Sequence, residues 1–140
     1  MAKTTMKVLL VDDEGRFRQA LLRQLSVRGF MVYEADCGED AVVVVKMEDP
    51  DVVILDQEMP GMNGTETFDK IKEINPLIEV IMLTGHATVE IAMAIMKKGA
   101  FDYIMKPLNI DELLYKIEDA YTRKILNEKR NPIPGPKAAG

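Results

Sequence analysis

The sequence predicts an α/β fold, a five-stranded parallel sheet covered by helices on both faces. Three observations carry this. Five short apolar runs recur with helical patterns between them. Several of those runs are nearly continuous in apolar residues, as strands buried on both faces are. The strict β-α alternation also requires crossover connections, which are right-handed in almost all proteins.

The runs are MKVLLVD (Met6–Asp12), FMVYEA (Phe30–Ala35), DVVILD (Asp51–Asp56), IEVIMLT (Ile78–Thr84) and FDYIMK (Phe101–Lys106). After Glu14, the residues Phe17, Ala20, Leu21 and Leu25 recur at helical spacing, and Gly29 suits the position just past a helix end. Residues Gly38–Glu48 contain the β-branched run AVVVV, which alone could be a strand; the flanks GED and KMEDP favour a short helix. Gly64–Ile74 places Phe68, Ile71 and Ile74 on one side of a helix. Thr88–Lys98 predicts a helix ending at Gly99. The last helix begins at NIDE, with Asn109 as N-cap and Glu112 in the capping-box position, and its core face is Leu113, Leu114, Ile117 and Tyr121.

At 140 residues the chain can bury a substantial core as one domain. The segment from Asn131 on, NPIPGPKAAG, lacks periodicity, and the expected division is a domain over residues 1–127 and a flexible tail or linker over 128–140. A net charge of −5 argues against a broad basic face for nucleic acid or membrane surfaces, so neither is expected as a direct partner. One cysteine, Cys37, precludes an internal disulfide, and with His86 the single histidine a Cys/His zinc site is excluded. The N-terminal apolar run is too short for a signal peptide or membrane span, so a cytoplasmic location is expected by default. The ten methionines suit adaptable core filling.

Acidic residues end two strands: Asp12 and Asp13 the first, Asp56 the third. Thr84 ends the fourth and Lys106 the fifth. Open parallel sheets bind ligands beyond the carboxyl ends of their strands, where strand order reverses. If the first and third strands are neighbours there, all five residues converge. Three clustered carboxylates repel, and a hard divalent cation such as Mg²⁺ relieves that repulsion while pairing readily with a phosphate. Lysine adds a positive charge and threonine a hydroxyl donor to an anionic oxygen. The set suits a phosphoryl group, and a carboxylate beside a metal can itself become an aspartyl phosphate. Singly, each residue has an ordinary reading as a solvated loop or a helix N-terminus.

Over about Lys7–Asn127 the chain resembles the receiver domain of two-component response regulators, of the chemotaxis-regulator-like kind. The motifs VLLVDDE, VVILDQEMPGMNG, VIMLTGHA and GAFDYIMKPL fall in the family's order and spacing, with Pro60 and Gly64 four and eight residues past Asp56. The flavodoxin-like strand order 2-1-3-4-5 comes from this resemblance, not from the residues themselves. The resemblance implies that Asp56 is the phosphoacceptor. Asp13 and Asp56 would bind Mg²⁺ directly, Asp12 through water, and Glu58 through its backbone carbonyl, leaving the Glu58 side chain without a role. Lys106 and Thr84 would contact the phosphoryl group, Gly85 would add a backbone N–H, and the Lys106–Pro107 bond would be cis. Tyr103 would change rotamer together with Thr84. His86 either tunes dephosphorylation or is a solvent-exposed loop residue.

The implied function is a phosphorylation-switched signalling domain, not an enzyme beyond promoting its own phosphorylation and dephosphorylation. The implied phosphodonor is a sensor histidine kinase or phosphotransfer protein. The implied readout is a downstream effector or self-dimer, bound at the surface of the helix after Thr88, the fifth strand and the last helix. On that helix, helical spacing groups Val89, Ala92, Met93 and Met96 as a core face and turns Ile91 and Ile95 outward beside Tyr103 as a partner contact; the alternative is a tilt that half-buries both isoleucines. Two rival functions are a dehalogenase-type Mg²⁺-dependent phosphatase and a phosphate-independent interaction module. The adjacent pair Asp12–Asp13 and the lack of a cap domain weigh against the first, and the complete Asp13/Asp56/Thr84/Lys106 set against the second. The start at Met1 favours an N-terminal position in whatever protein carries the domain.

Overall fold

In the computed structural model, residues 5–85 and 88–130 are described; His86 and the stretch 131–140 lie outside them. The element order is β1 (Lys7–Val11), α1 (Gly15–Val27), β2 (Met31–Ala35), α2 (Gly38–Glu48), β3 (Val52–Asp56), α3 (Gly64–Ile74), β4 (Glu79–Thr84), α4 (Val89–Lys98), β5 (Asp102–Met105) and α5 (Ile110–Arg130). Five parallel strands lie in the order β2-β1-β3-β4-β5. The domain is therefore a three-layer doubly wound α/β fold of flavodoxin-like order. Helix α5 continues through Arg130, three residues past the boundary expected at 127.

The strands' two-residue alternation divides the core. Leu9, Val11, Val53, Leu55, Val80 and Met82 face a layer built with Ala41 and Val45 of α2, Phe68 and Ile71 of α3 and Ile95 of α4. Val8, Leu10, Val52, Ile54, Ile81 and Leu83 face the other way, against Leu21 and Leu25 of α1 and Leu113, Ile117 and Ala120 of α5. Strands β3 and β4 are buried throughout, which is why their sequences show no polar alternation. The AVVVV run forms a helix that buries Ala41 and Val45, four residues apart, in the core, with Val44 packed partly buried beside them. Its start is capped by the Cys37 sulfur, which accepts from the Asp40 N–H at 3.5 Å.

The face of α4 is the opposite of the one expected. Ile95 is buried at 6% exposure and Ile91 packs partly buried against the same core, while Val89 (71%), Met93 (66%) and Met96 (43%) face out. The helix carries two apolar stripes, and periodicity alone cannot say which one meets the sheet. Packing decided for the β-branched pair: Ile95 sits with Phe68, Met82 and Ala100 around a small cavity. Ile91 and Ile95 therefore do not form an outward pair, in line with the alternative that buries them, and the exposed apolar stripe of α4 is Val89, Met93 and Met96.

Candidate functional site

The carboxyl ends of β1, β3, β4 and β5 bring Asp12, Asp56, Thr84 and Lys106 to one rim. Asp12 and Asp56 are each 2% exposed and Thr84 is fully buried, whereas Asp13 is exposed. Carboxylate oxygens of Asp12, Asp13 and Asp56 lie within 4.8 Å of one another. Lys106 reaches across them. Its Nζ is 3.0 Å from Asp12 Oδ2, 3.1 Å from Glu14 Oε1 and 3.7 Å from Asp56 Oδ2. The Lys106–Pro107 peptide is cis.

Local structure explains how a carboxylate comes to end a buried strand. After Asp56 the chain turns through Gly61, whose φ is +75°, and re-enters as α3 at Asn63. A reciprocal capping box fixes that entry: the Glu66 N–H donates to Asn63 Oδ1 and the Asn63 N–H to Glu66 Oε1. A Cβ on Gly64 would lie 2.6 Å from the Asp56 carbonyl oxygen and 2.8 Å from Gln57 Cα, so only glycine lets α3 begin this close to β3. The Glu58 N–H then donates to Asp56 Oδ1 at 3.2 Å.

Electrostatics mark Asp56 as the strained group. Burial first, and the neighbouring Asp12 charge second, push its carboxyl up to about 6, against the opposing pull of Lys106 and the Glu58 amide. Burial disfavours the Lys106 ammonium, but the Asp12, Glu14 and Asp56 carboxylates outweigh it and hold its pKa above the usual lysine value. Asp12 Oδ2 is sealed from solvent and is paired with that ammonium at 3.0 Å. Three acids crowded at one rim, two of them buried and sharing a single lysine, fit a hard oxygen-seeking cation such as Mg²⁺.

Several participants were not legible in the sequence. Glu14 pairs with Lys106, and the Phe17 ring lies 4.9 Å beneath the same ammonium. Arg18 donates to the Asp12 carbonyl oxygen at 2.6 Å and also engages Glu34. The Glu58 side chain, assigned no role, accepts from the Thr84 hydroxyl at 3.0 Å and from the Gly85 N–H at 3.2 Å. Such pairings depend on which loop side chains fold over the rim, and no spacing rule encodes that. Tyr103 is partly buried against the α4-side core. His86 falls outside the described residues.

Comparison with known proteins supplies an independent line. The sequence model of the response regulator receiver domain matches residues 8–118. Among curated proteins, a cyclic di-GMP phosphodiesterase of Thermotoga maritima is 38% identical over 126 residues, covering 90% of this chain and 34% of that protein. The DNA-binding transcriptional regulator NtrC of Salmonella typhimurium is 34% identical over 113 residues, covering 81% of this chain and 24% of NtrC. The chain thus spans about a third and a quarter of the length of these relatives. Among solved structures, a response regulator receiver domain protein from Clostridium thermocellum superposes with a TM-score of 0.82 at 35% identity, covering 86% of this chain and 98% of that one. A CheY-like receiver domain protein from Methanospirillum hungatei reaches 0.83 at 28% identity, covering 89% and 99%.

Proposed function

Because this chain belongs to the response regulator receiver domain family, we propose that it accepts a phosphoryl group on Asp56 and passes the signal on through the α4-β5-α5 face. The phosphodonor is a phosphohistidine of a sensor histidine kinase or phosphotransfer protein. One observation carries the reading: a buried, electrostatically strained Asp56 carboxylate stands in a three-acid cluster with the Lys106 ammonium 3.7 Å away.

In the reaction an Asp56 carboxylate oxygen attacks phosphorus, and the phosphorus–nitrogen bond of the donor breaks. Its electron pair stays on the imidazole, which takes up a proton, and a mixed anhydride forms on Asp56. Asp13 and Asp56 would hold Mg²⁺ directly, Asp12 through water and Glu58 through its carbonyl; the ion supplies neutralisation of the phosphoryl oxygens. Lys106 holds its charge beside the incoming oxygens, and Thr84 and Gly85 offer an O–H and an N–H donor to them.

The phosphoryl group then biases an existing equilibrium rather than building a new fold. Thr84 moves with the anion, Tyr103 fills the space behind it, and α4 shifts its packing. The exposed apolar residues Val89, Met93, Met96 and Met105 form the contact offered to an effector or a second copy.

Intact mass tests this. With Mg²⁺ and a small phosphodonor, the native chain gains one phosphoryl group, and Asp56→Ala gains none. Equal labelling of both, or no labelling of the native chain, sinks the proposal. Sustained multiple turnover of a phosphomonoester would point instead to a phosphatase.

A further inference from the structure

The Glu58 carboxylate sits on the two donors that the proposed phosphoryl group needs. Its Oε2 accepts from the Thr84 hydroxyl at 3.0 Å and its Oε1 from the Gly85 N–H at 3.2 Å. A carboxylate presents two anionic oxygens to one O–H and one N–H, much as two oxygens of a phosphoryl group would. Its own backbone N–H donates to Asp56 Oδ1 at 3.2 Å, which tethers the residue beside the acceptor. Packing agrees, since Glu58 Oε1 lies 3.6 Å from where a Cβ on Gly85 would stand. The Glu58 residue is otherwise exposed, so solvent is open to it if it swings off its donors.

We infer that Glu58 is a tethered competitor for the phosphoryl-oxygen site, which holds the Thr84 and Gly85 donors in the unphosphorylated protein and slows phosphoryl acceptance on Asp56. The inference rests on the phosphoacceptor reading above. Each donor hydrogen is shared with one strong acceptor at a time, so the carboxylate must leave before an anion on Asp56 can be received. Its charge also adds to the Asp12, Asp13 and Asp56 charges that an incoming phosphoryl group must approach. The contacts are near the surface, where water replaces them readily, so the effect on rate is about three- to tenfold rather than larger.

Two variants separate the contributions. Glu58→Ala removes both acceptor oxygens and the charge. Glu58→Gln removes the charge but keeps one amide oxygen able to accept from one donor. With Mg²⁺ and acetyl phosphate followed by intact mass, both variants label faster than the native chain, Glu58→Ala the most, by about three- to tenfold. In amide NMR spectra without any anion, the Gly85 N–H proton moves upfield in Glu58→Ala. Beryllofluoride with Mg²⁺ then returns it downfield at a lower concentration than the native chain requires.

Labelling of Glu58→Ala no faster than native, with Asp56→Ala unlabelled, overturns the competitor and leaves the phosphoacceptor reading standing. Slower labelling overturns it too, because Glu58 would then be assisting. An unmoved Gly85 proton removes its structural basis. If the native chain and both Glu58 variants all stay unlabelled, the phosphoacceptor reading falls and takes the competitor with it.

Discussion

Asp56 pays for its position in proton affinity. Its carboxyl titrates at about 6, above the usual aspartate value, because burial and Asp12 oppose its charge. A folded value above the unfolded one means that the folded state binds the proton more tightly. Ionised Asp56 therefore costs stability above about pH 6, and the cost is relieved as pH falls from there toward 4. In the presence of a chelator, Asp56→Asn is expected to be more stable than the native chain at pH 8 by about 2 kcal/mol, with the gap closing near pH 4. Urea denaturation at the two pH values measures it, and a gap independent of pH would contradict it. Gly64 is the second residue where local geometry decides. Because the atoms that a new Cβ would strike are backbone, Gly64→Ala is expected to lose about 2 to 3 kcal/mol. An unchanged urea midpoint would show that α3 can retreat from β3 without cost.

The same sequence pattern can serve two faces of a helix, and α4 is the case in point. Val89, Met93 and Met96 form one apolar stripe and Ile91 and Ile95 another, and the second is buried. Ile95→Ala should therefore destabilise by about 2 to 4 kcal/mol, whereas Met93→Ala should change stability by less than about 0.5 kcal/mol. Thermal or urea unfolding of the two variants gives the comparison, and the reverse order would restore the face expected from periodicity. Under the proposed function, Met93→Ala should instead weaken binding of the phosphorylated protein to its effector or second copy. Helix ends, unlike that choice of stripe, are marked by local signals in α3, α4 and α5. In α3 the signal is the capping box at Asn63. In α4 it is the Thr88 hydroxyl, which accepts from the Ile91 N–H, with Gly99 at φ +106° at the far end. In α5 it is Asn109, which accepts from the Glu112 N–H.

At the scale of the molecule, the two edges of the sheet do different work. The carboxyl edge concentrates like charge at Asp12, Asp13 and Asp56, while the opposite edge is tied by paired charges. There Lys124, 5% exposed, reaches Asp51 at 2.7 Å and Glu128 at 2.9 Å, and Arg123 forks onto buried Glu79. These contacts fasten α5 to the starts of β3 and β4. Asp51→Ala leaves the buried Lys124 ammonium with one partner fewer and is expected to lose about 2 to 4 kcal/mol by urea denaturation. No loss would mean that Glu128 suffices. Under the proposed function the acidic edge behaves in the opposite sense, gaining stability from a bound cation. At ten times its dissociation constant, Mg²⁺ should stabilise the fold by about 1.4 kcal/mol, and Asp13→Asn should abolish most of that gain. A thermal shift equal in the two proteins would place the ion elsewhere. Among the described residues, no helix is long and apolar enough to cross a membrane.

The sequence by itself determined the class of fold, the core positions of the strands and the residues at the acidic rim. Continuous apolar runs leave a strand few ways to lie except inside a parallel sheet, and the polar residues that end four of the five runs must then emerge at the same edge. Asp12, Asp56, Thr84 and Lys106 were legible for that reason. Only the tertiary structure decided which stripe of α4 faces inward, that Glu14 and Phe17 flank Lys106, and that Glu58 takes the Thr84 and Gly85 donors. Those outcomes depend on competition among side chains distant in sequence for the same few ångströms of space, and neither periodicity nor motif spacing carries that information.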